Sequence, residues 1–216
     1  MKIIPLTGLS LLIAGSVLAG PAGRGADQKN RACDGPCREL PVATTTSLNL
    51  SESARAALRF QIDEERMAGD LYRALGQLHD ARPFQNIPTA EDRHQSMLRD
   101  LASRAGVTVA ADQPAGRYAT AAVQERYDLL LARGRVSLTE ALAVGALVEE
   151  QDIADLRTLA ATTDSPDLKA VVSALEQASV HHLGAFVRNL RSQGVDYAAQ
   201  VLTPAEVAKM TSRGRS

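Results

Sequence analysis

An all-α chain built on four long helices is what this sequence predicts, and three observations predict it. Four segments repeat apolar residues every three or four positions, no stretch alternates as a strand would, and helix-starting and helix-ending residues stand at the edges of those segments. With 216 residues, 45% of them hydrophobic and 3% aromatic, the chain is long enough for one ordinary core. A formal net charge of -1 and the lack of a basic block argue against nucleic acid or an anionic membrane surface as partner. Ions and small molecules fit that balance better.

Taken in order, the first helix should run from Ser51 to Gln77 and the second from Pro88 to Ala105, where Gly106 can end it in a left-handed turn. The third opens on Ser137-Leu138-Thr139-Glu140, a capping box in which Ser and Glu reciprocally satisfy free amides, and runs to Ala161. The fourth opens at Asp164-Ser165-Pro166, with proline preset for a first turn, and closes before Gly194. About 30 residues separate the second helix from the third, far more than a hairpin needs, and they hold a short helical stretch from Ala121 to Ala132. Short connections on either side of one long crossover describe a ferritin-like four-helix bundle, placed here at residues 49–205 with 206–216 as a C-terminal tail.

Residues 1–19 read as a signal peptide: Lys2, an apolar stretch from Ile3 to Leu18, then small residues before Gly20. The stretch is too short and dilute for a membrane anchor, which takes roughly 20 apolar residues. Export to the periplasm or beyond is therefore expected, followed by a flexible leader over 20–48. Cys33 and Cys37 flank a Gly35-Pro36 turn that can bring their sulfurs together as a local staple, and they lack the partners of a zinc site.

The inward stripes carry the chemistry. They read Leu58, Glu65, Ala68, Tyr72, Leu75 on the first helix and Ile87, Glu91, His94, Leu98, Leu101 on the second. The third reads Leu142, Gly145, Glu149, Asp152, Leu156, Leu159 and the fourth Leu168, Val172, Leu175, Ser179, His182, Phe186. Taken singly, these polar residues have ordinary explanations. Glu91 and His94 fit a solvated i,i+3 pair, Glu149 and Asp152 an acidic face beside Glu150 and Asp155, and His182 a core histidine bonded to a carbonyl. Together, buried charges on all four stripes need compensation. Two divalent cations would supply it, held by Glu65, Glu91, Glu149 and Asp152 with neutral His94 and His182. Oxygen and imidazole without thiolate suit iron, or manganese.

Four stretches carry a family likeness: Glu64-Glu65-Arg66-Met67-Ala68-Gly69-Asp70-Leu71-Tyr72; Asn86-Ile87 with Glu91-Asp92-Arg93-His94; Ala141 to Leu156; and Ser179-Val180-His181-His182-Leu183-Gly184-Ala185-Phe186. From Ser51 to Leu202 the chain resembles the domain of unknown function 2202, an uncharacterised ferritin-like family. The wider superfamily implies a di-iron site that reacts with dioxygen or peroxide. The resemblance implies Glu65 rather than Glu64 as ligand, because Glu65 lies seven residues before Tyr72. It implies Glu91 and His94 from the second helix, Glu149 with Glu150 as the alternative, and His182 rather than His181. A second Glu-x-x-His would need Glu at position 179, where the chain has Ser179; Asp152, one turn beyond Glu149, is expected to take over that ligand's work. Tyr72 is then either a residue that orients a carboxylate or supplies an electron, or a core tyrosine.

These readings lead to an exported di-metal oxidoreductase acting on dioxygen or peroxide, with no nucleic-acid partner, no anchor after signal cleavage, and a homodimer left open. A metal-binding or metal-delivery protein without turnover and a purely structural bundle are the alternatives.

Overall fold

The computed structural model describes residues 48–212. The expected signal peptide, the cysteine pair and all but the end of the leader lie outside them. Among the described residues every regular element is a helix. These are α1 (Glu52–Gly76), α2 (Arg82–Asn86), α3 (Pro88–Arg104), α4 (Ala121–Gly134), α5 (Leu138–Ala161), α6 (Pro166–Ser192) and α7 (Pro204–Ser212). None of them is long and apolar enough to cross a membrane.

Helix ends follow local chemistry. The side chains of Ser51, Ser137 and Ser165 accept from the amides of Ala54, Glu140 and Leu168, and Pro88 and Pro166 occupy first-turn positions whose missing N–H costs nothing. The capping box at Ser137 forms only by half, because the Glu140 carboxylate accepts from Arg133 Nε at 2.8 Å. At the far ends Gly106 and Gly194 take φ of 62° and 75°. That conformation lets Val107 N and Val195 N donate back to Ala102 O and Leu190 O, closing the last turns.

The four long helices close a ring in cross-section: α1 packs on α3, α3 on α6, α6 on α5 and α5 on α1. Their apolar residues form two separate cores. One gathers Leu58, Ile62, Leu98, Leu101, Leu156, Leu168, Val172 and Leu175; the other gathers Leu71, Tyr72, Leu75, Phe84, Ile87, Leu142, Val144, Leu183 and Phe186. The order in which each helix visits them gives its direction. α1 and α6 pass from the first core to the second, α3 and α5 the opposite way. Two consecutive long helices that run parallel cannot be joined by a tight turn, which is why the long crossover exists.

That crossover is clamped to the outer face of α1. Arg66 donates to the carbonyls of Gln113, Pro114 and Arg117, and Asp70 accepts from Gly116 N and the Tyr118 hydroxyl. α4 then lies across α1 and α5. Residues 206–216, read from the sequence as a tail, begin inside α7, which packs on α6 and buries Val207 and Thr211. The leader's last residue, Leu48, is also buried, as is Leu50. The five-residue α2, unrecognised in the sequence, places Phe84 against Tyr72 and Phe186.

Candidate metal centre

Between the two cores lies a band of buried polar side chains, one or two from each long helix. The spacing within each helix produces it. Gln61 lies four residues before Glu65, Glu91 three before His94 and Ser179 three before His182, so successive polar side chains stay on the inward stripe. Glu65, Glu91 and Glu149 are 1%, 3% and 2% exposed, far below what solvated acids show.

Two groups of possible ligand atoms form, and they share one residue. Glu65, Glu91 and His94 offer atoms within 4.8 Å of one another, and so do Glu91, Glu149 and His182. His94 Nδ1 stands 2.8 Å from Glu91 Oε2 and 3.2 Å from Glu65 Oε2. On the other side His182 Nδ1 stands 3.0 Å from Glu91 Oε1 and 3.6 Å from Glu149 Oε2. Glu91 therefore turns one oxygen to each imidazole. The two rings face each other with centroids 5.7 Å apart and 25° between their planes.

Glu91 Oε1 and His182 Nδ1 are both buried, and despite their 3.0 Å separation neither makes a hydrogen bond. Orphaned polar atoms in an interior are costly. A cation between them would use both lone pairs at once, so the residues present fit a metal.

Charge on the band is strongly perturbed. Burial and the neighbouring Asp152 hold the Glu65 carboxyl well above the usual range, and burial with Glu91 nearby raises Glu149. Burial would also raise Glu91, but the close imidazoles of His182 and His94 outweigh it and lower the carboxyl to about 2. The imidazoles respond in turn. Burial disfavours their charge, yet Glu65 and Glu91 raise His94 to about 10, and Glu149 and Glu91 raise His182 to about 11.

Tyr72, fully buried, donates to Glu149 Oε1 at 2.7 Å. This leaves Oε2 for His182. Glu150 is equally buried but faces away: its carboxylate accepts from the Tyr197 hydroxyl and from the amides of Gln200, Val201 and Leu202. α5 thus contributes Glu149 to the band, while Glu150 holds the segment before α7. His181 is exposed.

Asp152, expected as a ligand, is held by two hydrogen bonds. It stands outside both groups of ligand atoms; Gln61 donates to Oδ1 and the Ser179 hydroxyl donates to Oδ2 at 2.5 Å. The residue standing where a glutamate was missing is thus the hydrogen-bond donor that holds Asp152. Gln61, which also lies 3.5 Å from Glu65 Oε1, was overlooked in the sequence. The signal was there: it fills the gap between Leu58 and Glu65 on the same stripe.

A family model described as "Uncharacterized protein domain (DUF2202)" matches residues 54–213. The chain belongs to that family. All the residues of the band lie within the matched range. Among relatives, "Uncharacterized protein MJ0754" of Methanocaldococcus jannaschii is 31% identical over 170 residues, covering 76% of this chain and 92% of its own. A solved structure titled as that of hypothetical protein MJ0754 from Methanococcus jannaschii superposes with a TM-score of 0.74 at 30% identity. The match covers 76% of this chain and 95% of the other. Neither the family's description nor the names of these relatives specify an activity.

Proposed function

We propose that this DUF2202 member is a ferritin-like four-helix bundle that binds two divalent metal ions, iron foremost and manganese second, and acts after export as an oxidoreductase on dioxygen or peroxide. The observation that carries the reading is Glu91, which offers one oxygen to each of two ligand groups while its Oε1 and the facing His182 Nδ1 lack any other partner. One ion would be held by Glu65, His94 and Glu91, the other by Glu149, His182 and Glu91. Three carboxylates with Asp152 alongside balance the charge of two divalent ions, and a donor set of oxygen and imidazole without sulfur favours iron or manganese. Bound there, an iron pair supplies two-electron redox chemistry toward a small oxidant. The chain's own residues prepare the place. Tyr72 fixes the rotamer of Glu149, Gln61 and Ser179 fix Asp152, and the two apolar cores restrict water around the band.

Metal analysis of protein from its native compartment, followed by anaerobic ferrous loading and exposure to oxygen, tests this. About two ions per chain and catalytic consumption of the oxidant are expected. Stable binding without turnover would make it a metal-binding or delivery protein, and no binding would leave a structural bundle.

A further inference from the structure

A cavity of about 120 Å³ lies between α1, α4 and α5, next to the polar band and separate from its ligand groups. Its wall is mostly apolar, with Met67, Ala68, Leu130 and Val148 among the lining residues. Glu64, only 5% exposed, lines it as well. Oε1 of Glu64 pairs with Arg126, but Oε2 is buried without a partner. Arg126, whose side chain is 31% exposed, also lines the cavity and marks its solvent side. Asp152 lines it too. An apolar chamber with one unpartnered polar atom is the ordinary make-up of a small-molecule site.

We propose that this cavity binds a small organic molecule with an apolar body and a hydroxyl group, the hydroxyl taking the free position on Glu64 Oε2. A hydroxyl is the fitting group because it can donate or accept, and so satisfies that oxygen in either protonation state. Size limits the body to about one six-membered ring, since an apolar cavity of roughly 150 Å³ accepts benzene. A cation is disfavoured by the Arg126 guanidinium and the apolar lining. The ligand would lie one side chain, Asp152, from Gln61 and Ser179. Whether it is a substrate rests on the metal reading; its binding does not.

The test uses phenol and benzene, which differ only in the hydroxyl, with saturation-transfer NMR on the purified full chain. Phenol should saturate one site and bind about threefold or more tightly than benzene, the worth of one modest hydrogen bond. Leu130→Phe, which fills the chamber from α4, should abolish the binding of both, and Glu64→Leu should keep benzene and erase the preference for phenol. If Leu130→Phe fails to fold, Leu147→Phe on α5 replaces it. No saturable phenol signal, equal affinities in the unaltered chain, or undiminished phenol binding in the filled variant overturns the proposal. Metal content of the same samples separates the two readings: phenol bound by a chain that takes up no metal keeps the pocket and removes the redox function.

Discussion

Glu91 faces two ways, and single-residue changes should show it. Because each of its oxygens serves a different imidazole, Glu91→Ala is expected to lower metal content by both ions, whereas His94→Ala should spare part of the second; elemental analysis after dialysis reads the difference. The adjacent pair Glu149 and Glu150 should separate cleanly. Glu149→Ala removes the Tyr72 partner and a ligand, so metal affinity falls at least tenfold. Glu150→Ala strips the amides of Gln200, Val201 and Leu202 of their acceptor. It should cost about 1–3 kcal/mol in denaturant unfolding while metal content holds. Metal loss in the second variant with none in the first would reverse the two assignments.

At the scale of the helices, close packing sets the tolerance. A Cβ on Gly145 would meet Phe186 Cε1 at 2.3 Å, in the aromatic set that Phe186 forms with Tyr72 at 5.1 Å and Phe84 at 5.5 Å. Gly145→Ala should therefore destabilise by about 1–3 kcal/mol through overpacking, visible as a lower melting temperature, and should disturb Tyr72 as well. The long helices were legible in the sequence because periodicity and caps are local signals: serine before a helix and glycine after it act within four or five residues. Glu65, Glu91, His94, Glu149 and His182 were legible for the same reason, as polar residues on otherwise apolar stripes. The partners of Asp152 were not legible, because Gln61 and Ser179 lie 91 and 27 residues away and act through side-chain reach. The helices α2 and α7 escaped notice because five or nine residues hold too few turns for periodicity to register. The Glu150 attachment and the Glu64 cavity depend on tertiary packing, which spacing along a helix does not encode.

For the whole molecule, pH and metal should act in opposite directions. In the metal-free fold His94 and His182 titrate near 10 and 11 instead of the ordinary 6.5, so the folded chain binds their protons more tightly than the unfolded one. Their contribution is complete below about pH 6.5 and is lost as pH rises toward 10, while Asp152, raised to about 7, gives the same sign from 3.8 upward. Metal needs the same groups deprotonated. The gap in melting temperature between loaded and stripped protein should widen from pH 6 to pH 9, and a constant gap would show that ions bind elsewhere. The band between the two apolar cores has one more effect. A helix ordinarily opens from its tips, where backbone bonds are fewest, yet here α1, α5 and α6 are least apolar at their waists. Stripped of metal, the chain should exchange amide hydrogens around residues 64–68, 148–152 and 178–182 faster than the flanking turns of α1, α5 and α6. Metal should reverse that profile, turning the waist into the most protected zone and making the two halves of the molecule open together.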